Sequence, residues 1–527
     1  MDAAENIHTP PLVNPWLIAF TVMLATFMEV LDTSVANVSL PHIAGDLSAG
    51  VDESTWVLTS YLVSNAIVLP LTGWFSTLFG RKRFYIACVV IFTVSSLLCG
   101  FAPTLPLLVF FRVLQGAGGG GLQPISQAIL VDSFPKHKQG MAMAIYGMGV
   151  VVAPTIGPTL GGWITDNYTW RWIFWLNVPV GILSVIMTTL LIIDPPHIIR
   201  KTFKQGLRID FIGLGLIAVG LGFLQVVLDK GQRDDWFGSH FIVWATVITV
   251  VALAGAIFWE FHTKDPVVEL RLLRDRNFAI ATFMMYTLGF VMYGTTVLLP
   301  IMLQTVMGYT AMESGLVMFP GGFVILLILP VVGLLTSHVE PRWLVAFGLI
   351  VLAAGSILMS HLNLSVGEGT VISYWAVSRA GAAFLFVPIN LMAFYFVSKM
   401  KINSATGIIN LARNVGGSMG ISFVTTMLDR RAQFHQARLA AHMQLGNNNY
   451  AAAMHGLMHL LMTRGSDAAR AAMQAQGLLY GELQRQAMML SFVDNFWLAA
   501  IICLAVIPLL IMMKKIKPGK HHAPPVH

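Results

Sequence analysis

Charge is scarce in this chain: Asp, Glu, Lys and Arg make up 11% of its 527 residues, against about 25% in ordinary soluble domains. Hydrophobic residues make up 56%, more than a soluble fold can hide. The apolar runs also lack the alternation of a barrel strand. In lipid every backbone amide must be paired within its own segment, so helices are the remaining option and the fold class is all-α integral membrane. Cysteine is nearly absent. Cys88, Cys99 and Cys503 all lie in apolar runs, and Cys88 and Cys99, about 16 Å apart on one helix, are beyond disulfide reach. They read as packing residues, which leaves no cysteine-type metal site. The amino terminus, MDAAENIHTPPLVNP, has no basic region and no small-residue cleavage site, so nothing is expected to be cleaved and Trp16 opens a true span. No loop contains a Gly-x-x-x-x-Gly-Lys-Ser/Thr segment, so no ATP site of that kind is expected. The spans hold no Ser/Lys, paired Asp or His/Glu constellation suited to catalysis, and an enzyme is not expected.

Runs of about 20 apolar residues, each long enough to cross the ~30 Å hydrocarbon layer, recur along the chain. Spans are predicted at 16–38, 55–75, 84–101, 105–131, 140–164, 170–193, 211–228, 241–261, 278–303, 312–336, 343–361, 370–397, 405–428 and 492–513. The formal charge of +7 is then a matter of position, because the basic residues fall mostly in alternate loops. These are Arg81, Lys82 and Arg83; Lys136 and Lys138; Arg200, Lys201, Lys204 and Arg208; Arg271, Arg274 and Arg276; Lys399 and Lys401; and Lys514 to Lys520. The positive-inside rule makes those loops and both termini cytoplasmic. Nucleic-acid binding is not expected.

A faint internal repeat relates the first six spans to the last six. Leu69-Pro70-x-x-Gly73 resembles Leu329-Pro330-x-x-Gly333, Leu40-Pro41 resembles Leu299-Pro300, and Arg112 with its glycines and Pro124 is echoed by Arg379, Gly381 and Pro388. Two six-helix bundles with a site between them at midplane are a recurrent transporter architecture. The domains expected are 1–194, a first bundle; 195–276, cytoplasmic linkers and two inserted helices; and 277–527, a second bundle. Residues 430–490 form an excursion too polar to span, extracytoplasmic by the helix count and read as short amphipathic helices. It is either a solvated or interface-lying segment or a docking surface for a partner. His455 and His459, four apart within it, have no obvious third ligand, and no metal is expected.

Glu29 and Asp32 lie inside the first span, where a carboxylate costs at least about 2.5 kcal/mol on insertion scales. Three apart on a helix, they share a face. Arg112 in the fourth span lies at the depth of Asp32, so the two can pair across a cavity. The pair reads either as a static tie between helices or as a titrating site that trades Arg for a proton or a ligand. Arg379 and Arg413 add two more positive charges at depth, which favours neutral or anionic lipophilic ligands over dications. The run Gln115-Gly116-Ala117-Gly118-Gly119-Gly120-Gly121 allows close helix approach and follows no strand, which argues against a phosphate cradle. In the fifth span, Gly149, Pro154, Gly157, Pro158, Gly161 and Gly162 predict a kinked, tightly packed helix.

These residues match a known family. The segment from Gly149 to Gly162 resembles the antiporter motif of the major facilitator superfamily, and Arg112-Val-Leu-Gln115-Gly116 resembles its basic motif. The stretches from Leu31 to Pro41 and from Trp170 to Pro179 look like signatures of the fourteen-helix drug:proton antiporter branch, within which the chain is most similar to the EmrB-type multidrug exporters. The resemblance implies a major facilitator fold of two six-helix bundles plus two inserted helices. It also implies export of small lipophilic compounds driven by protons, with no cofactor. Asp32, Arg112 and Glu29 are then the coupling residues, and Asn37, Gln115, Tyr146, Tyr293, Arg379 and Arg413 line the substrate cavity. Gly73, Gly80, Arg81, Lys82, Arg83 and Asp132 form the cytoplasmic gating motif, with Thr77 where the family usually carries Asp, and Asp132 is the candidate partner of Arg81 or Lys82. The location implied is the bacterial inner membrane. In a two-membrane organism a periplasmic adaptor of the EmrA type and an outer-membrane channel are implied as partners. The alternatives are a dedicated exporter of one compound, such as a fatty acid, siderophore or antibiotic, and a sensor that has lost transport.

Overall fold

The computed structural model describes residues 14–194, 210–263, 266–443 and 447–515. The terminal segment 1–13, the loop residues Arg200, Lys201, Lys204 and Arg208, and Lys517 and Lys520 lie outside the described residues. Each predicted span coincides with a helix. The first six are α1 (Pro15–Val38), α2 (Trp56–Phe79), α3 (Arg81–Gly100), α4 (Leu105–Ser133), α5 (Lys136–Asn167) and α6 (Trp172–Leu191). An inserted pair follows, α7 (Phe211–Lys230) and α8 (His240–His262). The rest are α9 (Arg276–Thr305), α10 (Ala311–Leu335), α11 (Pro341–Met359), α12 (Glu368–Phe394), α13 (Ile402–Ala440), the short α14 (Asn448–Thr463) and α15 (Ala468–Ile511).

Local chemistry sets the helix ends. Asn14 accepts the Trp16 amide at 3.0 Å with Pro15 in the first turn, Asp275 caps α9 through the Phe278 amide, and Thr310 with Glu313 forms a capping box on α10. Gly80, at φ 83°, turns the chain from α2 directly into α3.

Among the described residues, twelve helices are apolar and long enough to cross a membrane, and α5, whose halves bend by 41°, makes a thirteenth. The fourteenth is α13. Its buried residues include Asn403, Asn410, Arg413, Gly407, Gly416, Gly417 and Gly420, so it is weakly apolar. It packs against protein on several sides: Gly416 and Gly420 admit the carbonyls of Tyr286 and Phe290 from α9.

The helix pairings repeat. In α1–α6 the close pairs are α1 with α5, α4 and α6, α3 with α4 and α6, and α2 with α4. The counterpart pairs recur among α9–α13 and α15: α9 with α13, α12 and α15, α11 with α12 and α15, and α10 with α12. The two bundles meet mainly through α5 on α10 and α2 on α13, with α4 also touching α13. The inserted α7 packs against both α2 and α13, while α8 turns Trp244, Val250, Val251 and Phe258 outward, where lipid is the solvent.

The segment 430–490 departs from expectation. One short helix, α14, lies in it as expected, but α13 and α15 also run into it unbroken, with lengths of 39 and 44 residues. At ~1.5 Å per residue these helices reach about 58 and 66 Å, well beyond a ~30 Å hydrocarbon layer. They stay helical because they pack on each other. Arg431 and His435 both meet Asp494, at 2.6 and 2.7 Å, and Gln436 donates to Tyr480 at 2.8 Å.

Candidate functional site

Arg112 is fully buried, and its Nη1 donates to Asp32 Oδ2 at 2.6 Å and to Gln115 Oε1 at 2.8 Å. Its Nε donates to the Val57 carbonyl at 2.9 Å, and the guanidinium sits 4.3 Å from the Tyr61 ring centroid. The other Asp32 oxygen, Oδ1, accepts from Gln115 at 2.9 Å and Asn177 at 2.7 Å. Asn177 also donates to Ser96, which donates to the Phe174 carbonyl. Both carboxylate oxygens are therefore satisfied, Oδ2 by Arg112 and Oδ1 by two amides, which helps a charge pair persist away from water, while Arg112 Nη2 has no hydrogen-bond partner among the described residues. All these partners belong to α2, α3, α4 and the first turns of α6, hence to one bundle.

Glu29 lies one turn earlier on α1. Its Oε1 accepts from Tyr61 and Asn65, each at 3.3 Å, and its Oε2 from Gln123 at 2.5 Å. The carbonyl of the same Gln123 amide accepts from Arg413 of α13. Arg413 lies 5.8 Å from the Phe386 ring centroid, and Phe386 stacks on Tyr146, centroids 6.2 Å apart. One turn along α4, Asn410 donates to Gln127 at 2.8 Å. These two contacts carry polar side chains of α4 across to the second bundle.

Two further motifs shape how the bundles meet. Pro158 has no amide to give the Pro154 carbonyl, and Ser34 of α1 approaches that carbonyl at 3.4 Å. A Cβ on Gly157 would strike Ser34, one on Gly149 would come within 2.7 Å of Met23, and one on Gly161 within 3.0 Å of Val35, so these positions seat α5 on α1. A Cβ on Gly162 would meet nothing. At the end bearing the basic loops, Gly73 faces the Ser404 backbone, where a Cβ would stand 2.8 Å from Cα, and Gly140 faces Gly333 and Thr336. Arg81 is buried and reaches Asp132 at 2.6 Å and the Ala128 carbonyl at 3.2 Å. Lys82 donates from its backbone to Asp194 and from Nζ to the Thr189 carbonyl, while Arg83 is exposed. Thr77 bonds back to the Gly73 carbonyl, so Asp132 supplies the carboxylate of this charge lock.

The sequence model of the Major Facilitator Superfamily matches residues 22–421. This chain belongs to that superfamily. Across 95% of its length it is 36% identical to the multidrug export protein EmrB of Escherichia coli K12, covering 96% of that protein. It is also 36% identical to the fatty acid resistance protein FarB of Neisseria gonorrhoeae, over 96% of this chain and 97% of the relative. The fold is similar to that of the proton:xylose symporter XylE (TM-score 0.60, 14% identity, 94% of this chain and 95% of the other). It is likewise similar to the human organic anion transporter MFSD10 (TM-score 0.56, 11% identity, 93% and 99% covered). At such identities these structures speak for the superfamily fold alone.

Within that fold the candidate cavity residues separate. Gln115 belongs to the Asp32 cluster, and Tyr146 and Arg413 to the Glu29 cluster at the bundle interface. Tyr293 is half-buried against Gly417 of α13. Arg379, on the helix equivalent to that of Arg112, has no carboxylate partner among the described residues: it donates to Thr295 at 2.7 Å and Thr296 at 3.1 Å and stacks 3.8 Å from the Trp375 centroid. Asn37, expected in the cavity, is exposed near the end of α1, five positions past Asp32 on a helix whose buried face it does not share. Gln123, Asn65 and Tyr61 were not singled out from sequence. The available signal was a polar amide at membrane depth in α4, which its glycine-rich surroundings mask.

Proposed function

We propose that this chain is a proton-driven exporter of small lipophilic compounds, with Asp32 the proton carrier, Arg112 its exchanging partner and Glu29 a second carboxylate of the same route. The observation that carries the reading is the fully buried Asp32–Arg112 pair, clothed by Gln115 and Asn177, in a superfamily chain so similar to EmrB along its whole length. A static tie would be served as well by apolar packing, since replacing a buried ion pair by hydrophobic residues is often neutral or stabilising. Export proceeds by rocking of the bundles about the α2–α13 and α5–α10 contacts, with the Gly73, Arg81 and Asp132 cluster as the cytoplasmic gate and Gly149 to Gly161 holding α5 to α1. The protein sits in an inner membrane with both termini cytoplasmic, and its domains are 1–194, 195–276 and 277–527.

The deciding experiment is uptake of a lipophilic substrate into inverted vesicles energised with acid inside, with wild type and Asp32→Asn compared. Equal accumulation by both refutes the assignment. A dedicated exporter of one compound is the second reading, favoured by the FarB similarity and by the cation Arg379 with no carboxylate in contact, which suit a lipophilic acid. The overrunning α13–α15 pair, with Met473, Leu478 and Tyr480 exposed, is the surface on which a periplasmic adaptor docks, leading to an outer-membrane channel. Deletion of residues 449–485 then abolishes resistance while the purified protein still binds substrate, and unchanged resistance refutes the docking role.

A further inference from the structure

We infer that Gln123 makes the ionic state of Glu29 depend on where the second bundle lies, and so serves as the positioning residue that joins proton binding to the conformational change. The inference rests on the export reading above. It starts from a difference between the two carboxylates of α1. Every partner of Asp32 travels with its own bundle: Arg112 and Gln115 on α4, and Asn177 entering α6. A rigid rocking of the bundles leaves that set intact. Among the described residues, Glu29 has no cation of its own bundle at hydrogen-bond distance. Its closest contact is the Gln123 amide at 2.5 Å, and the carbonyl of that amide is held by Arg413 of α13.

The ionisable groups around Glu29 are few. Tyr61 of α2 bonds it directly, Tyr146 of α5 reaches the backbone carbonyl of Gln123, Tyr85 of α3 lies beyond, and Asp32 follows one turn along α1 with Arg112 already engaged. Arg413 is therefore the cation that answers the Glu29 charge, and it arrives on the element that moves. Its Nε and Nη1 have no hydrogen-bond partner among the described residues, so the tie runs through one amide.

An amide suits this position chemically. It donates to a carboxylate with one end and accepts from a guanidinium with the other, and Leu would do neither. A direct Glu29–Arg413 ion pair at this depth would resist separation, whereas an interposed neutral amide lets the bundles part. When α13 withdraws, Glu29 exchanges its ionic partner for a proton, and when α13 returns the proton leaves. The neighbouring Gln127–Asn410 contact sets the register in which Gln123 and Arg413 meet.

The test uses the full-length protein in lipid nanodiscs with spin labels at Glu53→Cys before α2 and Arg430→Cys on α13, both exposed; the native cysteines are buried and stay unlabelled. In the wild type, the distance populations change between mildly acidic and mildly alkaline pH. Glu29→Gln abolishes the change. Gln123→Leu and Arg413→Gln each move its midpoint by about one pH unit or more, a tenfold change in proton binding. Asp32→Asn keeps the response although it loses gradient-driven transport. Gln123→Met, of nearly unchanged length, replaces Gln123→Leu if the latter does not fold. A wild-type midpoint in both Gln123→Leu and Arg413→Gln, or a response that survives Glu29→Gln, overturns the inference. Wild-type transport that follows the proton gradient with no pH-dependent distance change overturns it too, and leaves the export reading standing. Wild-type transport indifferent to the gradient removes the export reading itself.

Discussion

Replacing Asp32 by Asn changes one oxygen to an amide group and tests the coupling assignment at its centre. Asp32 accepts one hydrogen bond from Arg112 on Oδ2 and two, from Gln115 and Asn177, on Oδ1. An asparagine offers a single oxygen. If that oxygen faces the guanidinium, its NH2 confronts two amide donors; if it faces the amides, the NH2 confronts the guanidinium. In both orientations a buried donor loses its acceptor and the Arg112 charge loses its counter-ion. Breaking a buried pair from one side costs about 3–5 kcal/mol, part of which the flipped amides of Gln115 and Asn177 recover. The variant should therefore fold with lowered thermal stability and bind substrate within about tenfold of wild type. Transport should differ far more. At an assumed ~150 mV a proton supplies roughly 3.5 kcal/mol, enough for a few hundredfold gradient of a neutral substrate per proton exchanged. Without its titrating group the protein should only equilibrate substrate. The assays are uptake into inverted vesicles and substrate-induced proton release from purified protein, with ligand binding as the folding control. A folded Asp32→Asn protein that still accumulates substrate and still releases protons refutes the reasoning, and makes Glu29 the carrier to examine next.

Arg112→Lys keeps the charge but cannot hold Val57, Asp32 and Gln115 together, and should cut transport severely while ligand binding persists; near-normal uptake would contradict the role given to the planar fork. Gly73→Val pushes a side chain into the Ser404 backbone, an overpacking cost of about 1–3 kcal/mol. It should hold the basic-loop end open, seen as faster maleimide labelling of a cysteine placed there, and unchanged labelling would argue that α2 and α13 do not close this end. A cysteine at Asn448, at the exposed start of α14, should react with an impermeant maleimide in intact, outer-permeabilised cells; reaction only after lysis would invert the topology. Arg112, Arg379 and Arg413, buried at membrane depth around the carboxylates Glu29 and Asp32, should make lipophilic weak acids bind about tenfold tighter than dications of equal size, and the reverse order would show that substrates do not sense Arg379.

The spans were legible without tertiary information because a helix in lipid must satisfy its own backbone and turn apolar side chains outward. That requirement writes itself into consecutive residues, and the basic loops mark the ends. The Asp32–Arg112 pair was legible too, because a charge at membrane depth needs a partner at the same depth and few were available. Where the requirement is not local, the signal fades. α13 is held in place by close approach to α9 through Gly416 and Gly420, so its residues are small and polar and its own hydropathy is weak. The overrun of α13 and α15 into 430–490 comes from mutual packing of two polar helices, which no single helix discloses. The tie from Glu29 through Gln123 to Arg413 joins residues 94 and 290 positions apart. It exists only when one bundle lies against the other, so tertiary structure alone decided that one of the two carboxylates of α1 is joined, through an amide, to the second bundle.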